Sequence, residues 1–141
     1  MTTKRETILA AVRTQLTGTV DVGTRIYRSR VTAIPREESP AIIVEPLRDD
    51  PKLATHLATI DWTLNVRVTV IVRGTIPDQV ADPIVASLHS KLMADTTLGG
   101  RAIDIMPGST NWVFADADGA AGEIQCDYRV MYRTTLTDLE S

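Results

Sequence analysis

Two histidines, one cysteine and a scatter of carboxylates are the side chains of this 141-residue chain that could do chemistry. His56 stands in a polar stretch beside no acid, and His89 lies in a helical pattern beside Leu88, Ser90 and Lys91. A metal site needs several convergent ligands, and neither histidine has them at suitable spacing. Both read as surface or structural residues, so no metal and no cofactor is expected. Cys126 falls on the apolar parity of an alternating run, where a free thiol behaves as a small hydrophobe. In "ADADGAAGE", Asp116, Asp118, Gly119 and Glu123 resemble a calcium loop. The glycine follows the first aspartate too soon and the ligands are too few, so a turn is expected instead. "TLGGR" and "MPGST" lack both the Lys-Ser/Thr pair and the three spaced glycines of phosphate loops. Asp49, Asp50, Asp61 and Asp127 stand at no apolar position where burial would tune one as an acid. No enzyme is expected from these residues. The rival enzymatic reading needs His89 or Cys126 to meet distant partners.

The charges on the long alternating segments are more informative. In "TIDWTLNVRVTVIVRG", residues 59–74, the even positions from Ile60 to Val72 are apolar and the odd positions are polar, with Ile71 the one exception. In "GEIQCDYRVMYRTTL", Ile124, Cys126, Tyr128, Val130 and Tyr132 share one parity. Such alternation marks strands with one buried and one wet face. Asp61, Arg67 and Arg73 on the first wet face, with Glu123, Asp127, Arg129 and Arg133 on the second, are candidates for an interface or a channel wall. Their bland alternative is a solvated sheet face whose cross-strand charge pairs contribute about 0.2–1 kcal/mol each. Length favours the interface. At about 3.3 Å per residue the first segment runs roughly 50 Å, against a diameter of roughly 37 Å for a compact chain of this size. Overhanging strands expose backbone edges that invite another chain.

These segments imply an antiparallel sheet, since parallel sheets are covered on both faces and lose the alternation. "TKRETILAAVRTQLTG" predicts a first helix, with Thr3 and Glu6 spaced as a capping box and Gly18 as its stop. "RIYRSRVTAI" predicts a strand, "AIIVEPL" a strand covered on both sides and ended by Pro46, and "RDDPKLATHLA" a loop. A second helix is expected from Asp82 as N-cap and Pro83 as first helical residue, with an optional earlier turn. "RAIDIMPGSTNWVFADADGAAG" predicts one or two short strands with Pro-Gly and Gly-rich turns. The order α-β-β-β-α-β-β describes an α+β fold. The expected form is a two-layer sandwich: a mainly antiparallel sheet with two long strands, and two helices on one face.

Bulk properties set the frame. The length suits one domain over residues 1–141. No apolar run reaches the roughly 20 residues of a membrane span, and no signal-peptide pattern opens the chain. The lone cysteine forms no internal disulfide, and a net charge of −3 argues against a dedicated nucleic-acid binder. A cytosolic-type domain, or a piece of a particle assembled in the cytosol, is expected.

In its order of pieces the chain resembles a family. "RETILAAVRTQL", "SPAIIVEP", the strand from Trp62, "LHSKLMADTTLGGRAIDIMPGS" and "YRVMYRTTLTDLE" together are similar to the tail terminator proteins of long-tailed bacteriophages. The resemblance runs from the first helix to the last residues, and its most specific piece is "LMADTTLGG" followed by "AIDI". It implies a structural protein of the virion tail, assembled in the host cytoplasm. Such proteins form hexameric rings that bind the growing end of the tail tube, stop its polymerisation and offer a docking surface to the head connector. The implied partners are further copies of the chain, the tube protein and the connector, with DNA only passing through the ring. The implied fold is an α/β sandwich whose sheet continues across the ring. No interface residue carries over, because the family's contacts are spread over surfaces. A head–tail joining protein or a tail tube subunit is the rival of the same class.

Overall fold

The computed structural model describes residues 2–53, 58–116 and 119–141. Helix α1 (Lys4–Leu16) begins where the Thr3 side chain accepts from the Glu6 amide, the expected cap. Strands β1 (Ile26–Arg28), β2 (Ala41–Leu53) and β3 (Thr59–Arg73) follow, then helix α2 (Pro77–Ala94) and strands β4 (Asp104–Asp116) and β5 (Ala120–Thr135). The strands make one mixed sheet in the order β1-β2-β3-β5-β4, with β1 parallel to β2 and every other pair antiparallel. This is an α+β fold.

Four strands are long, where two were expected. β2 and β4 span 13 residues each, beside 15 in β3 and 16 in β5. Pro46 does not end β2, and residues 48–53 of the expected loop are strand. β1 covers only Ile42–Val44, so beyond Val44 β2 is an edge, where proline is tolerated. A register shift between Pro46 and Arg48 absorbs the irregularity. β4 repeats the device: it is an outer strand, and Pro107 and Gly108 sit in a bulge rather than a turn. The stretch from Arg25 to Ile34 yields only the short β1.

Helix α2 starts at Pro77, six residues before the expected Pro83. Pro77 takes the first-turn position that suits a residue without an N–H. Pro83 lies inside the helix, where it withholds the usual donor from the Gln79 carbonyl.

The even positions of β3 (Leu64, Val66, Val68, Val70, Val72) and β5 (Ile124 to Tyr132) share one core with the helices. α1 contributes Ile8, Leu9, Val12 and Leu16, and α2 contributes Ala81, Ile84, Leu88 and Leu92. Ile71, the break in the alternation, has its reason on the opposite face. There it joins Ile34, Ala41 and Ile43 in a second small cluster.

Candidate assembly surface

All seven candidate charges lie at odd positions of β3 and β5, on the sheet face away from the main core. The register places Arg67 opposite Asp127 and Asp61 opposite Arg133. Arg67 Nε and Nη2 donate to the two Asp127 carboxylate oxygens at 2.9 and 3.2 Å, and Arg133 grips Asp61 the same way at 2.6 and 3.1 Å. The hydrogen bonds from Arg133 hold the Asp61 carboxyl below its ordinary range, and those to Asp127 raise the Arg67 guanidinium. These four residues form two bidentate cross-strand clamps. Their first role is to tie β3 to β5.

The other three do different things. Arg73 Nη2 donates to the Ile34 carbonyl at 2.8 Å, holding the 30–34 segment over the small second core. Glu123 stands across from Ile71, and with Arg30 and Arg73 it borders a 300 Å³ hollow floored by Ile43 and Ile71. Arg129 is exposed between Asn65 and Met106. The candidate face is thus partly a braced wall and partly an open surface.

A second polar group gathers on the helix side, unforeseen in sequence. Asp49 accepts Arg5 Nε at 2.7 Å and also the Tyr132 hydroxyl, although its side chain is only 9% exposed. Trp62 stacks on Tyr132 with ring centroids 6.3 Å apart, lies under the Arg5 guanidinium, and donates its indole N–H to Thr134 Oγ1 at 2.9 Å. Residues from α1, β2, β3 and β5 meet here. Only the Trp62–Tyr132 register was within reach of the alternation pattern.

The larger omission is β4. Every residue from Met106 to Asp116 is exposed on this outer strand, including Trp112 at 55% and Phe114 at 57%. Their partners in the register are Ile124 and Gly122, so both rings rise from the same sheet face as the helices. The helices do not cover them. Pro77 of α2 reaches only as far as a hollow lined by Phe114, Ala115 and Ala121. Val80 and Ile76 at the same helix end are exposed too. Isolated exposed apolar residues are ordinary, whereas here Trp112, Val113 and Phe114 stand exposed together on an outer strand.

The residues of the enzymatic rival do come together. His89 Nδ1 lies 3.0 Å from the Tyr128 hydroxyl, and both border a 350 Å³ hollow with Cys126, Asp82 and Gly108. Burial pushes the Cys126 thiol up to about 11 and raises the Tyr128 hydroxyl as well. A thiol so protonated at neutral pH is a poor nucleophile. Among the described residues, no three of His, Cys, Asp and Glu are placed to hold a metal ion. His56 and Asp118 of the calcium-like loop lie outside the described residues.

No protein-family model and no curated protein matches the chain. Among solved structures, the chain is similar to a chain in the structure described as the virion of the native gene transfer agent particle. The identity is 12% and the TM-score 0.52, over 90% of this chain and 95% of that one. At that identity, the likeness establishes a shared fold.

Proposed function

We propose that the chain is a structural protein of a phage-like virion, and within it a tail terminator. Copies of it close into a ring on the growing end of the tail tube, stop further polymerisation and present the head connector with its docking surface. The observation that carries the assembly reading is β4, an outer strand whose residues 106–116 are all exposed and include Trp112, Val113 and Phe114. A long exposed edge strand with apolar residues invites pairing with another chain. Support for the virion setting comes from the gene transfer agent neighbour, which matches almost end to end. The position at the tail end and the number six rest on the sequence resemblance alone. Packaged DNA passes through the ring, and the net charge of −3 suits a lining that does not grip phosphates.

The chain is proposed to have no catalytic activity. The raised Cys126 thiol supports this, and so does the engagement of its polar groups in strand-to-strand clamps. Deleting the gene from a particle-producing strain tests the terminator role. The expected outcome is filled heads left unjoined beside tails of uncontrolled length. Normal-length tails already attached to heads would overturn it and return the chain to another virion role.

A further inference from the structure

The sheet has two sides at which a further strand could add, and the chain treats them differently. On one side β1 covers only Ile42–Val44, and the far half of β2 lies open. That open stretch carries Pro46 and Pro51, which lack the N–H a new strand would need, and the exposed charges of Arg48, Asp50 and Lys52. Prolines and charges are the usual guards of an edge. On the other side the outer strand β4 has no such guard beyond its bulge. Thr110–Asp116 contains no proline and no cation, and its single carboxylate stands at the very end.

The regular part of β4 fixes how another strand would lie on it. The register shift between Pro107 and Thr110 interrupts the ladder on one side, and the hairpin to β5 ends it on the other. Between them the pairing runs unbroken from Thr110 to Asp116, with Val113 at its midpoint. Two copies of this strand that pair antiparallel over their whole regular length must therefore cross at Val113. Trp112 then stands opposite Phe114 of the second copy, and Phe114 opposite its Trp112. Val113 meets its own counterpart, Asn111 meets Ala115, and Thr110 meets Asp116. No like charges face each other. A register set by a bulge and a hairpin takes no account of side chains, so this agreement is independent support. We propose that the free chain forms a two-fold symmetric dimer in which β4 pairs antiparallel with β4 of a second copy about Val113.

The faces agree as well. A two-fold axis perpendicular to the sheet keeps the helices of both copies on one side. Trp112 and Phe114 share that side, since their partners in β5 are Ile124 and Gly122. The four rings thus meet as two cross-strand aromatic pairs, an arrangement that stabilises a sheet. α2 packs on β3 and β5. The two β5 strands would lie three strand spacings apart, about 14 Å, against the roughly 8–10 Å at which helices touch. The joint therefore has room for the rings between the helices. Only the exposed halves of the rings are newly covered, so each copy contributes well under the roughly 800 Å² of a standard interface. Backbone hydrogen bonds and register, not area, give this contact its specificity, and the dimer forms at high protein concentration. An isologous contact closes at two copies, so the open edge is spent without starting a filament. The dimer concerns the free chain and does not require the terminator reading.

Sedimentation of the full chain over a wide concentration range tests the dimer, and one position tests its register. Thr110→Asp sets a carboxylate opposite Asp116 at both ends of the joint, whereas Thr110→Lys sets a cation there; residue 110 is exposed in the single chain. The expected result is a monomer–dimer equilibrium in the parent, weakened several-fold by Thr110→Asp and strengthened several-fold by Thr110→Lys. Both differences should shrink in high salt. Val113→Cys, at the exposed midpoint, is expected to join to itself under oxidised glutathione in several-fold excess over Leu53→Cys on the guarded β2 edge. The buried Cys126 stays out of reach. A parent that remains monomeric at every concentration would overturn the dimer, as would equal joining through Leu53→Cys. Species larger than two copies, or a shift in the same direction with both Thr110 variants, would overturn the pairing about Val113. The gene-deletion outcome bears on the terminator reading alone.

Discussion

At the residue scale, a part-buried polar cluster ties the far half of β2 to α1 and β5. Asp49 lies on the part of β2 beyond the cover of β1, and its carboxylate joins Arg5 of α1 to Tyr132 of β5. Asp49→Ala removes both hydrogen bonds, which share Oδ2, and leaves a guanidinium and a phenol to find water. Hydrogen bonds to charged groups are worth about 1.5–3 kcal/mol. Since Arg5 is a third exposed and rehydrates in part, a loss of about 1–3 kcal/mol is expected in urea unfolding. Cys126 gives a pH prediction. Its folded thiol is raised from 9.0 to about 11 by burial, so the folded state holds the proton more tightly than the unfolded chain. That contribution is fully present below pH 9 and is lost as pH rises from 9 to 11. Cys126→Ala should flatten the decline of stability across that window in unfolding curves taken from pH 8 to 11. The raised hydroxyls of Tyr128 and Tyr132 act in the same direction at higher pH and remain in the variant.

At the element scale, the parity of β3 decides which face meets the helices. Val68 is fully buried in the main core, with Cys126 beside it in the register. Val68→Asp places an unpaired carboxylate there, at a cost of several kcal/mol. Loss of the folded state, or aggregation, is expected in circular dichroism and size exclusion. A fold of normal stability would invert the parity assignment. That parity was legible in the sequence because a strand with one wet face writes its burial as a period of two, as β3 and β5 do. The ends of β2 and β4 were not legible for the converse reason. From Met106 to Asp116 the whole of β4 is exposed, so burial imposes no alternation on it, and Pro107-Gly108 carries a turn signature although it forms a bulge. Pro46 misleads in the same way on β2. The start of α2 was obscured because Asp82-Pro83 is a good helix opening inside a helix that Pro77 had already begun. The clamps Arg67–Asp127 and Asp61–Arg133 were legible as charged odd positions, but their pairing depends on a register that only the folded sheet supplies. Residue types alone located the charges. The aromatic edge escaped notice because its significance lies in what fails to cover it.

At the scale of the whole molecule, the long exposed outer strand β4 offers an edge at which another chain can pair. Trp112 and Phe114 are therefore predicted to matter for assembly and not for folding. Both are more than half exposed, so replacing them by aspartate costs less than a core truncation, about 1–4 kcal/mol for the covered part of the two rings. Trp112→Asp/Phe114→Asp should stay folded with a lowered thermal midpoint. The same variant should lose any oligomer that the parent forms. A contact built on two aromatic side chains is expected to be weak in dilute solution, because association must first overcome the loss of translational and rotational freedom. On a tube end the neighbouring copies are already held at high local concentration, which converts each further contact into an effectively intramolecular one. Native mass should accordingly be followed over a wide range of protein concentration, and again on purified tails. The parent chain is expected to pass from monomer to a single closed species, without the ladder of sizes that an open filament would give, and the double variant to remain monomeric throughout. A parent chain that is strictly monomeric both in solution and on tails would exclude the ring. A double variant that assembles as well as the parent would show that the ring is built on another surface, with the charged face of β3 and β5 the next to be substituted.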